Sequence, residues 1–381
     1  MTTTDGSHPK LRVTIVGGGI AAIETALALA QLAPGRLATT VLAPNEELVY
    51  RPMTVREPFA YPAARRYPLE RIVHDAGGEL QSDELAWVEP DAHTVQTKGG
   101  AALEYDVLVL ALGARIRPRY KHAITIDDRH LDETLHGLLQ DIEGGYVHSV
   151  AFLSPGRMAW PMPLYELALM TAGRAYDMNL ELATTIVSPE ESPLGIFGAT
   201  ASETIAQRLA RARIETITSA YAEVPSSGEV VINPGDRRLH VDRVVALPEL
   251  YGPAVRGIPL GEHGFISVDL HGRVRDVEDV YAAGDAIDFP IKHGGLGSQQ
   301  ADAVALSIAA RAGASVTAVP FRPVIHGMLL TDGKPLYLTA HISGGHGFSS
   351  EVGDTPTWSP PSKVAARYLA PYLEQQDRLI A

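Results

Sequence analysis

The residues that could do chemistry begin with three glycines behind a short apolar run near the start of the chain. Arg12–Val16 is rich in β-branched residues and predicts a strand buried on both faces, and Gly17, Gly18 and Gly19 follow it. The pattern Gly17-x-Gly19-x-x-Ala22 is typical of dinucleotide binding. Gly17 permits a tight turn, Gly19 lets the backbone approach a pyrophosphate, and Ala22 lets a helix pack closely on the strand.

A helix must follow this turn if the glycines are to bind phosphate. From Ile20 the sequence is rich in Ala and Leu and has no helix breaker before Pro34, which predicts that helix. Its first free N–H groups, on Ile20, Ala21 and Ala22, would hold the phosphates. The order strand, glycine turn, helix favours this interpretation over a purely structural turn.

Composition limits the other kinds of chemistry. The chain has 381 residues, a net charge of −13 and no cysteine. The negative charge argues against nucleic acid as a partner, and the absence of cysteine excludes disulfides, thiolate nucleophiles and dithiol relays within this sequence. The 14 histidines show no HxH or HExxH spacing, so we predict no metal site. A small-molecule ligand is compatible with all of these observations.

Location is predicted from apolar runs. None approaches the length of a transmembrane helix, and Met1–Lys10 is polar, without the apolar core of a signal peptide. The sequence therefore predicts a cytoplasmic protein without a transmembrane segment.

The second strand ends without the expected ribose-binding acid. Ala38–Ala43 predicts this strand, and Ala43 stands where an Asp or Glu usually binds the ribose of a dinucleotide. Glu46, Glu47 or the backbone at Ala43 would have to make that contact. Arg51 follows in a segment with many prolines, which predicts an irregular loop; Arg51 either reaches a cofactor phosphate or is a solvated side chain.

Two further apolar strands each end in glycine. They are predicted within Tyr105–Arg115 and Val277–Asp288, and a helix is predicted over Gly297–Ala312 after a glycine-rich turn. The residues of these segments that we assign to cofactor binding are Ala111, Gly113, Gly284, Asp285, Lys292 and Gly295.

A family resemblance extends over roughly residues 10 to 315 of the chain. It is carried by three segments in this order: VGGGIAA, LVLALGA and VYAAGDA. The chain resembles the two-dinucleotide-binding-domain flavoproteins, the glutathione-reductase-like superfamily. The resemblance implies that the first segment binds the ADP part of FAD and that Asp285 hydrogen-bonds the ribitol. It also implies an α/β fold with two Rossmann-like three-layer domains and a C-terminal interface region.

The same resemblance implies the domain bounds. The FAD domain is expected to be discontinuous, over 10–116 and 265–319, with a second nucleotide-binding-like domain inserted at 117–264 and the interface region at 320–381. Within the inserted domain, strands are predicted at Ser149–Leu153 and Glu181–Val187 and helices at Leu164–Ala172 and Thr200–Ala212.

The first turn of the inserted domain departs from a nicotinamide-nucleotide site. Only Gly156 remains of the glycines, and Trp160, Pro161 and Pro163 would block a pyrophosphate. The chain is therefore most similar to the branch with sulfide:quinone oxidoreductase and flavocytochrome c sulfide dehydrogenase, whose helix start resembles Pro163-x-Tyr165-Glu166. Sulfide oxidation in that branch uses redox cysteines, which this sequence lacks.

Two residues are candidates for catalysis by resemblance. Lys292 is expected to pass the N1–C2=O edge of the flavin and to stabilise its reduced form; the alternative is a surface charge. Glu166 is expected near the flavin, with a raised pKa that lets it move protons; the alternative is a favourable charge at a helix start.

We therefore predict an FAD-dependent oxidoreductase that passes electrons from a small-molecule donor to a quinone or similar acceptor. The alternatives are an NAD(P)H-dependent flavin reductase, like ferredoxin reductases or type II NADH dehydrogenases, and a non-enzymatic flavin-binding pseudoenzyme. In the tail, an apolar stripe is predicted to pack on the body or on a second subunit of a homodimer, or to contact a membrane surface. The stripe consists of Val364, Tyr368, Leu369, Tyr372 and Leu373.

Overall fold

The computed structural model describes residues 9–156, 160–331, 333–343 and 347–380. Most of the polar start and three residues of the turn before Trp160 lie outside these ranges. The α-helices of the described chain are α1 Ile20–Leu32, α2 Leu69–Asp75, α3 Leu131–Glu143, α4 Met162–Asp177, α5 Ala199–Arg211, α6 Gly294–Arg311 and α7 Leu369–Ile380.

The first parallel sheet joins strands from distant parts of the chain. Its order across the sheet is Val280–Ala282, Val107–Leu110, Leu11–Val16, Leu37–Ala43 and Glu79–Ser82. The central strand is buried from Val13 to Val16, as expected for β-branched residues covered on both faces. Because all five strands are parallel, the segments that follow Val16, Ala43, Leu110 and Ala282 all leave the sheet at the carboxyl end of the strands.

The second parallel sheet repeats this plan. Its order is Ile124–Thr125, Arg243–Ala246, Ser149–Leu153, Ala183–Val187 and Ile214–Ile217. Helices α4 and α5 connect its central strands. Two parallel sheets with connecting helices confirm the predicted α/β, Rossmann-like fold class. The residue bounds of the domains stay a prediction.

Smaller antiparallel sheets and short 3₁₀ helices complete the fold. Three-stranded sheets comprise Leu85–Glu89, Thr94–Thr97 and Ala102–Glu104; Tyr221–Ser226, Glu229–Asn233 and Arg237–His240; and Val324–Leu329, Leu336–Ser343 and Gly347–Gly353. Two-stranded sheets pair Glu47–Val49 with Arg66–Pro68 and Arg115–Arg117 with Glu249–Tyr251. The 3₁₀ helices are Arg51–Phe59, Pro90–Ala92, Gly195–Phe197, Glu262–Gly264 and Gly284–Ala286.

Two of the predicted elements are wrong in detail. Arg51–Phe59 is a 3₁₀ helix rather than an irregular loop, because Pro52 occupies an early position where its missing N–H costs nothing. Helix α6 begins at Gly294 rather than Gly297, so the expected glycine turn is its first turn. This first turn packs against the start of α1, since a Cβ on Gly294 would lie 3.1 Å from Ile20 Cδ1.

The C-terminal helix is fixed to α1 by a buried acid. The Glu24 carboxylate accepts hydrogen bonds from the N–H groups of Arg367, Tyr368 and Leu369, at 2.7, 2.9 and 2.6 Å. A carboxylate at this position satisfies the free donors of the α7 N-terminus and complements the helix dipole.

The apolar stripe of the tail packs on the body of its own chain. Val364, Tyr368, Leu369 and Leu373 are buried in the core formed by the first sheet and helix α1, and Tyr372 packs against it. This arrangement matches the predicted packing on the body and leaves these side chains covered. In the described part of the chain, no helix is long and apolar enough to cross a membrane.

Candidate functional site

The turn after the central strand requires glycine at its first position. Gly17 has a φ of +130°, and a Cβ there would lie 2.3 Å from the Ala111 carbonyl oxygen. Its N–H donates to the Leu42 carbonyl oxygen at 2.9 Å, and the Ala111 N–H donates to that of Val16 at 2.9 Å. The turn is therefore held tightly between the two neighbouring strands.

Gly19 occupies a different environment, open to the cleft. It is the N-cap of α1, with φ −91° and ψ −173°, and no side chain caps the helix. No described atom lies within 4 Å of the position that its Cβ would take. The first N–H groups of the helix, on Ile20, Ala21 and Ala22, have no acceptor within the helix. This arrangement fits a pyrophosphate, because the donors are free and the backbone is accessible.

The start of α6 meets the start of α1 beside this turn. Gly284 has a φ of +75°, and a Cβ there would lie 2.9 Å from the Ala21 Cβ. A Cβ on Gly297 would lie 3.2 Å from the Gly284 Cα, and the Gly284 N–H donates to Gln300 Oε1 at 2.9 Å. The structure therefore brings Asp285, which follows Gly284, next to the N-terminus of α1.

Lys292 is a buried cation, not a surface charge. Its ammonium donates to the Ile287 carbonyl and lies 3.9 Å from the centroid of the Phe265 ring. Burial lowers the pKa of Lys292 to about 8, against the attraction of Asp285 and Asp288. Burial also raises the pKa of Asp285 to about 6, and the Lys292 charge opposes that shift.

The end of the second strand supplies no ribose-binding acid at Ala43. That residue is buried, and a Cβ on Gly18 would lie 3.1 Å from its Cβ. Glu46 is exposed, and the Glu47 carboxylate pairs with Arg66 at 3.4 Å. Which group would bind a ribose there stays a prediction.

The remaining predicted binding residues differ in their surroundings. Arg51 pairs with the Asp128 carboxylate at 3.4 Å, and the charge of Asp128 also acts on Asp285. Gly113 has a φ of +72° and open space around it, whereas a Cβ on Gly295 would lie 2.9 Å from the His293 ring. Gly295 therefore makes room for a side chain of its own helix.

Glu166 is more deeply buried than predicted and has a charged partner. Its side chain is fully buried, and both carboxylate oxygens lie 2.7 Å from Lys363 Nζ. The Leu330 N–H also donates to it at 2.8 Å. Burial raises the pKa of Glu166, and the Lys363 cation opposes the shift. Lys363 was missed because it lies 197 residues away and carries no local motif.

His293 and Trp160 form a second group that sequence reasoning missed as a pair. His293 is the N-cap of α6, and its ring centroid lies 4.4 Å from that of Trp160. The Trp160 ring also contacts Phe197 edge-on, with centroids 5.8 Å apart. A histidine directly after Lys292 at a predicted helix start was the available signal.

The strand Ser149–Leu153 of the second sheet is followed by Gly156, the one glycine that remains of the expected turn. A Cβ on Gly156 would lie 2.8 Å from the Tyr221 ring, so this side chain packs beside the glycine. Glu190, shortly after the Ala183–Val187 strand, accepts hydrogen bonds from Tyr165 at 2.7 Å and from Ser188 at 2.9 Å. The acid at a ribose-binding position is thus already satisfied within the protein.

Comparison with known proteins agrees with this geometry. The family model described as pyridine nucleotide-disulphide oxidoreductase matches residues 166–314. Sulfide-quinone reductase of Aquifex aeolicus is 25% identical over 263 residues, which cover 64% of this chain and 59% of that relative. The match thus spans less than two thirds of the relative's length.

Solved structures share the fold over most of the chain. The sulfide:quinone oxidoreductase of Aquifex aeolicus matches with a TM-score of 0.81 and 19% identity, over 91% of this chain and 87% of that one. A ferredoxin reductase from Rhodopseudomonas palustris has a TM-score of 0.66 and 20% identity, over 87% and 82% of the two chains. The predicted resemblance to the flavoprotein superfamily, and to sulfide:quinone oxidoreductase within it, is confirmed.

Proposed function

We propose that this relative of the pyridine nucleotide-disulphide oxidoreductases, which resembles sulfide-quinone reductase in sequence and fold, is an FAD-dependent oxidoreductase that passes electrons from a small-molecule donor to a quinone or similar acceptor. The observation that carries the proposal is the turn from Gly17 to Ala22. It combines open space at Gly19 with the free N–H groups at the start of α1. Both features suit the pyrophosphate of a dinucleotide.

The chain supplies binding and electrostatics, and bound FAD would supply the electron-transfer chemistry. In this proposal the N–H groups of Ile20, Ala21 and Ala22 bind the phosphates, and Asp285 binds the ribitol. Gly113, with open space around it, is proposed to let the backbone approach the cofactor, and Arg51, which pairs with Asp128, is proposed to contact a phosphate. Glu166, in α4, holds the tail through its buried ion pair with Lys363.

Lys292 is proposed to stabilise the negative charge of the reduced cofactor. Lys292→Met should lower the flavin midpoint potential by some tens of millivolts while FAD stays bound. A partly buried unit charge is worth about 1–3 kcal/mol at an effective dielectric near 20. For a two-electron couple about 1.4 kcal/mol corresponds to about 30 mV. Redox titration of the bound flavin measures this difference.

The pKa of Lys292 gives this prediction a pH signature. Because Lys292 loses its charge above its pKa of about 8, the difference between wild type and Lys292→Met should be largest well below that pH and shrink above it. Lys121→Met, at an exposed position, is the matched control and should leave the potential unchanged. Equal potentials for Lys292→Met and wild type at low pH would place this lysine away from the ring.

NADH and NADPH are expected to reduce the flavin poorly. The Tyr221 ring lies close to Gly156, and one oxygen of the Glu190 carboxylate accepts hydrogen bonds from Tyr165 and Ser188, so a bound pyrophosphate and ribose would have to displace these groups. Stopped-flow mixing under argon measures the reaction. Rapid, saturable bleaching by either nucleotide would instead favour the NAD(P)H-dependent reductase.

A quinone acceptor is proposed because the curated relative is a sulfide-quinone reductase. The sulfide half of that reaction is not carried over, because persulfide formation on the protein needs a cysteine and this sequence has none. The proposal is tested by the FAD content of the purified protein, followed by an anaerobic screen of electron donors with flavin bleaching as the readout. If the protein binds FAD but no donor reduces the flavin and no acceptor reoxidises it, the result would support the pseudoenzyme instead.

A further inference from the structure

A buried imidazole at the start of α6 lacks a hydrogen-bond partner. His293 is 9% exposed, and its Nδ1 is buried with no partner among the described residues. A buried polar atom left without a partner costs about 1–3 kcal/mol. Such an unsatisfied atom in a folded protein needs an explanation, and contact with a ligand is one.

The ring is held in place on two sides. Trp160 packs on it at a centroid distance of 4.4 Å, with the planes tilted by 40°. A Cβ on Gly295 would lie 2.9 Å from the ring Cε1 and 3.2 Å from Nδ1, so the start of α6 also packs on the ring. The imidazole is therefore held by packing, and its Nδ1 has no hydrogen-bond partner among the described residues.

His293 is uncharged over the physiological range. Burial, together with the charges of His326 and Lys363, lowers its pKa to about 3. A neutral imidazole has one N–H donor and one acceptor nitrogen. It can therefore donate a hydrogen bond to a carbonyl without bringing a positive charge into the site.

The position of His293 joins the two halves of the site. The next residue, Gly294, packs against Ile20 in the first turn of α1. A Cβ on Gly294 would lie 3.1 Å from the Cδ1 atom of Ile20. Trp160 belongs to the turn of the second sheet. His293 thus connects the start of α1, where we propose that FAD binds, with Trp160 at the start of α4 in the second sheet's domain.

We propose that His293, held by Trp160, donates a hydrogen bond to the carbonyl of a planar conjugated ring at the start of α6. This inference rests on the proposed function and deepens it. The carbonyl could belong to the flavin itself or to a quinone acceptor, since both present the same chemistry. The ring of Trp160 provides an aromatic surface beside that carbonyl.

The test uses the full-length protein and needs no knowledge of the donor. The bound flavin is photoreduced under argon and mixed with a short-chain ubiquinone analogue over a range of concentrations. His293→Phe keeps an aromatic ring against Trp160 but removes both nitrogens, and His293→Ala removes the ring. His293→Gln, which retains a donor and an acceptor, serves as the rescue variant.

The two sources of the carbonyl give different results. If the quinone is the partner, His293→Phe and His293→Ala should raise the half-saturating quinone concentration about tenfold, which corresponds to about 1.4 kcal/mol, with little change in the limiting rate. If the flavin is the partner, both variants should shift the absorption band and midpoint potential of bound FAD and leave quinone saturation unchanged. In either case His293→Gln should restore most of the wild-type value.

A control separates the effect from a general loss of histidine. His271 also has a buried Nδ1 without a partner in the described chain, but it lies in the turn between Asp269 and Arg273, and His271→Ala should change neither readout. Wild-type values for quinone saturation, flavin spectrum and potential in both His293→Phe and His293→Ala would overturn this inference alone. A wild-type protein without FAD would overturn the proposed function and this inference together.

Discussion

Gly19→Val is expected to fold normally and to lose FAD. The backbone of Gly19 is extended, with φ −91° and ψ −173°, so a β-branched residue can adopt it without strain. Its Cβ would meet no described protein atom and would enter the space proposed for the pyrophosphate. We expect FAD affinity to fall by about a hundredfold or more, which corresponds to about 2.7 kcal/mol. The measurement is the ratio of FAD to protein after gel filtration, with affinity from FAD titration of the apoprotein.

The contrast with other glycines makes this prediction specific. Gly17→Val should impair folding itself, because the new Cβ would lie 2.3 Å from the Ala111 carbonyl oxygen. Gly137→Val, at an exposed position in α3 with open space around it, is the control and should retain FAD. Wild-type FAD content in a folded Gly19→Val would contradict the assignment of the phosphate site.

Lys363→Met is expected to destabilise the protein by about 3–5 kcal/mol. The cost arises because Glu166, fully buried, would lose the cation that lies 2.7 Å from both of its oxygens. That loss is a large part of the stability of an ordinary domain, about 5–15 kcal/mol. Urea unfolding followed by tryptophan fluorescence gives the free energy of unfolding.

The pH dependence and two companion variants identify the cause. Without Lys363, the raised pKa of Glu166 should keep that carboxyl protonated in the folded state, while in the unfolded state it ionises above about pH 4.3. The stability deficit should therefore be smallest at low pH and grow as the pH rises. Glu166→Gln combined with Lys363→Met should recover stability, since Gln can still accept the Leu330 N–H.

An exposed ion pair provides the matched control for Lys363. Lys98 lies 2.6 Å from Glu84, with both side chains more than half exposed, so Lys98→Met should cost less than about 1 kcal/mol. If Lys363→Met and Lys98→Met lower the free energy of unfolding equally, the Lys363–Glu166 pair contributes no more to stability than an exposed ion pair.

Local sequence pattern is sufficient to predict the strand, the glycine turn and the helix near the start of the chain. The strand predicted at Arg12–Val16 extends over Leu11–Val16, and the helix predicted from Ile20 begins there. Buried β-branched residues, glycines with special backbone angles and an Ala-rich helix are all local signals. The same signals located the Ser149–Leu153 strand without error in its bounds.

Long-range pairing could not be predicted in this way. Glu166 pairs with Lys363, which lies 197 residues further along the chain, and Glu24 caps α7 at Leu369, 345 residues further along. Neither Lys363 nor Leu369 lies in a recognisable motif. The predicted start of α6 is too late because Gly294 and Gly295 have low helix propensity, and their close packing against Ile20 and the His293 ring is not readable from the local sequence.

The central claim is tested most directly by reoxidation of the reduced protein. Purified protein is photoreduced under argon and mixed with a short-chain quinone while the flavin absorbance is followed. We expect bound FAD at about one per chain and rapid reoxidation that saturates with quinone concentration. Absence of flavin, or reoxidation no faster than that of free reduced flavin and without saturation, would contradict the account.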